Sequence, residues 1–135
     1  MQANKLTDRL SVRGQITAED VQAAKDAGFT TIVCNRPDGE SPDQPSADAI
    51  AAAASAAGLA FHNNPVTPDT LTPEKVRLQG DILGSAEGKV LAYCGSGRRS
   101  TILWMLANPD GLTPDERIDI AAQAGYDLAS MRPNL

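Results

Sequence analysis

Between residues 90 and 107 a strand, a glycine-punctuated loop and an apolar helix follow one another without a break. Val90-Leu91-Ala92 is a short apolar run, Tyr93-Cys94-Gly95-Ser96-Gly97-Arg98-Arg99-Ser100 follows it, and Ile102 to Ala107 is strongly apolar. The spacing predicts a buried strand, a tight loop and a buried helix over Thr101 to Ala107. A strand apolar along its whole length needs cover on both faces, which is the situation of parallel sheets in α/β proteins. Ligands of such sheets bind beyond the carboxyl ends of the strands, and Cys94 stands at one of those ends.

The rest of the chain alternates in the same way. Leu10-Ser11-Val12 reads as a first short strand. Thr17 can cap a helix with Asp20 answering three residues on; Val21, Ala24 and Ala27 form its stripe and Gly28 stops it. Thr30 to Cys34 is a buried strand, followed by turn chemistry in Asn35-Arg36-Pro37-Asp38-Gly39. Ser46 caps an alanine-dense helix, Ala47 to Ala57, ended by Gly58. Leu59 to His62 is a short strand, and Asn63 to Leu71 a polar loop. Thr72-Pro73-Glu74 opens a helix to about Ala86. A last helix starts at Thr113-Pro114 and ends at Gly125, leaving the tail, Tyr126 to Leu135, to pack on the surface. The expectation is one α/β domain over residues 1–135, a mostly parallel sheet flanked by helices, without repeats or linkers.

Composition narrows the function. The 135 residues suffice for one core and not two. The net charge of −5 disfavours nucleic acid, which is held by clustered Lys and Arg, and anionic membranes. With only Cys34, Cys94 and His62 as soft ligands, no metal or other cofactor is expected. Two distant cysteines make no disulfide framework. The polar start, Met1 to Arg9, has no apolar leader segment, and no run reaches the roughly 18 apolar residues of a membrane span. A reducing, cytoplasmic location is the expectation.

The loop after Cys94 carries the chemistry. Its backbone N–H groups and the helix N-terminus both favour negative charge at the cysteine sulfur. Thiols in such places ionise at about pH 3.5–7.5, against about 8.5 for a free cysteine. Gly95 and Gly97 let several N–H groups turn inward beside Ser96, and Arg99 offers a planar two-pronged donor to an oxyanion. Ser100 can hydrogen-bond the thiolate or cap the helix, and Arg98 points outward, where it attracts anions. Cys94 thus reads as a nucleophile for phosphoryl or sulfane-sulfur groups. A buried cysteine without chemistry would not need these neighbours.

Cys94-x4-Arg99-Ser100, preceded by Tyr93, is similar to the loop of rhodanese-type sulfurtransferases. It also resembles that of protein-tyrosine and dual-specificity phosphatases, which carry five residues between Cys and Arg and a histidine where Tyr93 stands. Over residues 5 to 133 the chain resembles the β-lactamase-hydrolase-like phosphatase-like domain. The residues that carry this likeness are Asn35-Arg36-Pro37-Asp38-Gly39-Glu40, the cysteine loop, and Ala124-Gly125-Tyr126-Asp127-Leu128. The resemblance implies a protein-tyrosine-phosphatase-like fold with the Cys94 strand central, and a metallo-β-lactamase-fold hydrolase as a partner.

Two reactions fit this reading. A sulfurtransferase would carry sulfur as a Cys94 persulfide and needs no separate acid; the short loop tilts the expectation this way. A phosphatase would form a phosphocysteine and needs an acid for the leaving oxygen. The candidate is Asp69, in a loop that follows a strand; its alternative role is a solvated turn residue. A non-catalytic anion-binding module is the third reading, disfavoured by the intact Cys94 and Arg99. In a phosphatase-like sheet Cys34 would neighbour Cys94, as a reversible redox partner or simply a core residue. Arg36, Asp38 and Glu40, at the same sheet edge, could line the cleft and orient Arg99, or equally serve as turn residues and solvated charge. His62 and Trp104 read as structural.

Overall fold

The computed structural model describes residues 1–135. Its elements are β1 (Asn4–Lys5), β2 (Leu10–Arg13), α1 (Ala18–Asp26), β3 (Phe29–Cys34), α2 (Ala47–Ala57), β4 (Ala60–Asn63), α3 (Pro73–Ser85), β5 (Lys89–Tyr93), α4 (Arg98–Ala107) and α5 (Pro114–Gln123), with short 3-10 turns at Pro68–Thr70 and Ala129–Asn134. The five strands form one sheet in the order β1-β2-β5-β3-β4. All pairings are parallel except β1 with β2. β5 lies between β2 and β3, so Val90 to Tyr93 are buried on both sides.

Strand alternation distributes the core into two layers. Val33, Val90 and Ala92 face one side, against Ile82 and Leu83 of α3, Trp104 and Met105 of α4, and Ile118 and Ala121 of α5. Ile32, Cys34 and Tyr93 face the other, against Val21 of α1 and Ile50 and Ala54 of α2. A mostly parallel sheet flanked by helices is therefore what the chain adopts, and Trp104 is core.

The helix starts follow the cap chemistry of the sequence. Thr17 and Asp20 form a reciprocal capping box, Ser46 accepts from the Ala49 N–H, and Gly58 ends α2 in the left-handed conformation. Four details differ from expectation. The last strand before α3 is shifted one residue, to Ala60–Asn63. The two-residue β1 carries no pattern long enough to read. The tail is more than a surface strap: Leu128 is fully buried and joins the α3–α5 core. Finally, α4 begins at Arg98 rather than Thr101, because Gly97 takes the N-cap position with φ of +94°. Arg98, Arg99 and Ser100 are thus its first turn. No helix is long and apolar enough to cross a membrane.

Candidate active site

The parallel register places the exits of β5, β3 and β4 side by side. Cys34 pairs with Tyr93 and with Asn63, so the segments beginning at Cys94, Asn35 and Asn64 leave the sheet together. A buried amide cluster ties them. Asn35 Nδ2 donates to the Asn64 carbonyl (2.9 Å) and to Gln79 Oε1 (2.9 Å); Gln79 Nε2 donates back to Asn35 Oδ1 (3.0 Å). Asn64 Nδ2 donates to Gln79 Oε1 and to the Lys75 carbonyl, both at 3.0 Å. The Ser100 hydroxyl donates to Asn35 Oδ1 (2.9 Å). All four side chains are fully buried. Ser100 therefore neither caps α4 nor gives its one hydroxyl proton to Cys94; its backbone N–H is what serves the sulfur.

Cys94 lies on the floor of the loop with no solvent-accessible surface. Its Sγ accepts from the Gly97 N–H at 3.1 Å. Burial alone would raise the thiol, but the N–H groups of Ser100, Ser96, Gly97 and Arg99 outweigh it, and the net effect is to hold Cys94 below the ordinary thiol value. Cys34 is the opposite case. Burial pushes its thiol up, and its Sγ donates to the Arg36 carbonyl at 3.3 Å. Both cysteines are free. Tyr93, beside Cys34 in the core, has a buried hydroxyl without a hydrogen-bond partner, and burial pushes its ionisation well up.

Arg99 is held from two directions. Nη1 donates to the Val66 carbonyl (2.9 Å) and to Glu40 Oε2 (2.8 Å), and Nη2 donates to Glu40 Oε1 (2.8 Å). Arg36 Nε shares Glu40 Oε1 (3.0 Å), while Arg36 Nη1 reaches Gln15 Oε1 (3.1 Å). One carboxylate thus serves two guanidiniums. The Arg99 bond holds the Glu40 carboxyl below its usual range, and Glu40 in turn raises Arg99, with Cys94 adding to that rise. Both guanidiniums flank Gly95, where an added Cβ would sit 3.3 Å from Arg99 Nη2 and 3.7 Å from Arg36 Nε.

The loop's outer side is braced by residues far away in sequence. Tyr126 donates its hydroxyl to the Ser96 carbonyl (2.9 Å) and accepts from Asn4 Nδ2 (2.9 Å). A Cβ on Gly97 would overlap that hydroxyl, so this position requires glycine on contact as well as on φ. A Cβ on Gly14 would approach the Gly95 carbonyl to 2.8 Å, which explains the glycine on the neighbouring strand exit.

The structure brings Cys94, Gly95, Ser96, Gly97, Arg99, Arg36 and Glu40 together. Asp38 does not join them: its Oδ1 accepts from the Ala47 N–H at 2.8 Å and caps α2, so it leaves the cleft to Arg36 and Glu40. Arg98 is exposed at the rim, and His62 is exposed on the edge strand β4 outside the site. Asp69 is exposed in the 3-10 turn Pro68–Thr70 and makes no hydrogen bond to the loop. Its neighbour Pro68 lines a groove with Ser96 and Arg99. Tyr126, Gln79, Asn64 and the Val66 carbonyl were not singled out as site residues from sequence. Gln79 did carry a signal: it shares a helix face with Ile82 and Leu83, the only polar residue in that buried row.

A family model described as "Beta-lactamase hydrolase-like protein, phosphatase-like domain" matches residues 3–111. The chain belongs to that family. A "Beta-lactamase hydrolase-like protein" from Agrobacterium fabrum is 34% identical over 132 residues, 96% of this chain and 31% of that protein; one from Xylella fastidiosa is 34% identical over 125 residues, 91% of this chain and 29% of that protein. The chain spans about a third of the length of these curated relatives. Among solved structures, a "putative phosphatase" from Neisseria meningitidis is 36% identical, with a TM-score of 0.84 over 96% of this chain and 92% of that one. The chain is thus a phosphatase-like domain, and the expected mostly parallel sheet with a central Cys94 strand is the one it has.

Proposed function

We propose that the domain is a cysteine-dependent phosphatase that hydrolyses phosphate monoesters through a phosphocysteine at Cys94. The observation that carries the reading is the cradle itself. Inward N–H groups hold Cys94 towards the thiolate, and Arg99 stands beside it with a carboxylate bound in a two-pronged fashion. The Glu40 carboxylate occupies the fork as two oxygens of a phosphoryl group would. The family's phosphatase-like description and the "putative phosphatase" relative support phosphoryl chemistry over persulfide transfer.

In the proposed reaction Cys94 Sγ attacks phosphorus; an S–P bond forms as the ester P–O bond breaks. The leaving oxygen takes a proton from Asp69, carried by the turn that also brings Pro68 to the groove. Water then attacks phosphorus, its proton returns to Asp69, the S–P bond breaks, and phosphate and thiolate are released. The loop amides and Arg99 hold the phosphoryl oxygens in both steps.

The test supplies the domain with p-nitrophenyl phosphate, and separately with thiosulfate and cyanide. The expected result is phosphate release by the wild type, none by Cys94→Ser, and no thiocyanate. Thiocyanate formation without phosphate release would replace the reading with sulfur transfer. Phosphate release undiminished in Cys94→Ser would remove Cys94 from the chemistry.

A further inference from the structure

Beside the anion loop lies a groove of about 630 Å³. Ser96, Arg98 and Arg99 form its polar end. Leu71, Ile102, Leu106 and Met131 form its walls, brought from the β4–α3 loop, from α4 and from the C-terminal 3-10 turn. A second groove of about 580 Å³ lies next to it between α3 and α4, lined by Val76, Gly80, Ala107 and Pro109 together with the charged Arg77 and Asp81. Leu71 and Leu106 line both, so the two depressions adjoin along the surface. α4 lines both. Its first turn carries Arg99, and its half-buried face places Ile102 and Leu106 successively further from the anion site, three and four residues apart on one side of the helix.

From this adjacency we infer that the substrate of the proposed phosphatase reaction is a phosphate monoester on a linear apolar chain, the chain lying along α4 from Arg99 towards Gly80. The inference rests on the proposed function for its head group and on the groove for its body. Two arginines sit at the end of the groove where the phosphate belongs, and aliphatic side chains line the way out. An extended peptide would present a backbone donor and acceptor at each residue, which need partners. Most of the wall is carbon, with Asn134 beside the near half and the exposed Arg77 and Asp81 along the far half, too few polar groups to partner a backbone at every residue; the Asn35, Asn64 and Gln79 amides are turned inward on one another. Gly80 keeps the far half open: even a Cβ there would sit 3.4 Å from the Ala107 Cβ, and a larger side chain would project into the second groove.

The test is binding to the 135-residue Cys94→Ser chain by calorimetry, using non-hydrolysable alkyl phosphonates of two, four, six and eight carbons. A fully buried methylene is worth about fourfold in affinity, and a half-open groove about twofold, so octyl phosphonate is expected to bind about fiftyfold more tightly than ethyl phosphonate. Gly80→Leu fills the second groove and should lower the octyl-to-ethyl affinity ratio about tenfold; Leu106→Gln serves the same comparison should Gly80→Leu not fold. A series that changes less than threefold from ethyl to octyl overturns the inference. So does octanol binding as tightly as octyl phosphonate, since the groove would then act apart from the anion site. A phosphotyrosine peptide binding more tightly than octyl phosphonate assigns the groove to peptides instead. Graded binding without hydrolysis of any ester by the wild type would sink the phosphatase reading and leave the groove's ligand class standing. Hydrolysis with flat binding would do the reverse.

Discussion

Replacing Gln79 by Met tests whether the buried amide cluster is what holds the three loop exits together. Methionine matches the length of glutamine and suits a helix, so α3 is not perturbed by propensity. The change deletes three hydrogen bonds: two accepted by Oε1, from Asn35 and Asn64, and one donated by Nε2 to Asn35 Oδ1. Each partner keeps one other bond, to the Asn64 carbonyl, the Lys75 carbonyl and the Ser100 hydroxyl respectively. No group is wholly orphaned, so each loss belongs near the ordinary net value of about 1 kcal/mol. Burying a thioether in place of an amide returns part of this, leaving about 2–3 kcal/mol of destabilisation. For a domain of this size that lowers Tm by about 7–12 °C, a loss visible also as a reduced urea midpoint at unchanged slope. Because Asn64 leads to Val66, whose carbonyl holds Arg99, sulfate affinity should fall in the same variant even at temperatures where it is fully folded. A Tm within 2 °C of wild type with unchanged sulfate binding would refute the cluster as the brace of the site.

Four further outcomes follow from the same geometry. Tyr126→Phe loses the bond to Ser96 and the one from Asn4; it should cost about 1 kcal/mol in urea unfolding and raise KM for p-nitrophenyl phosphate several-fold more than it changes kcat. Gly97→Ala forces a side chain into φ of +94° and against Tyr126, so at least about 2 kcal/mol of stability and most phosphate release should be lost, by urea melts and initial rates. Glu40→Gln in a Cys94→Ser background should tighten sulfate binding at pH 7. Arg99 holds the wild-type carboxyl below its ordinary value, so its charge is lost only as pH falls through that lowered value; sulfate affinities of the two proteins, titrated by calorimetry, should converge there. Cys94 is held below the ordinary thiol value, so its alkylation by iodoacetate should stay at full rate further down in pH than a free cysteine's, with Cys34 reacting only on unfolding.

Most of the fold was readable because local signals agreed with one another. Thr17, Ser46, Thr72 and Thr113 each accept a backbone N–H at the start of the helix assigned to them. β5 was apolar enough to require a central place. The start of α4 was placed three residues late because Arg98, Arg99 and Ser100 look like loop polarity; their helicity is imposed by Gly97, whose φ no pattern reveals. The anion loop was legible since its neighbours in sequence are its neighbours in space. Asp38 reads from sequence equally as a cleft residue and as turn chemistry, because a carboxylate in a turn can face either a guanidinium or a helix N-terminus, and here it accepts from the Ala47 N–H of α2. Tyr126 and Gln79 could not be assigned to the loop because their contacts span 30 and 44 residues, distances over which only the folded sheet sets the geometry.

The sulfur of Cys94 has no exposed surface, and the guanidinium beside it is latched to Glu40. A latch made of opposite charges opens to another charge. Under the proposed function an incoming oxyanion takes the place of the Glu40 carboxylate on Arg99, like for like. Affinity for the anion is then a difference between two ion pairs, and strengthening the resting one weakens the other.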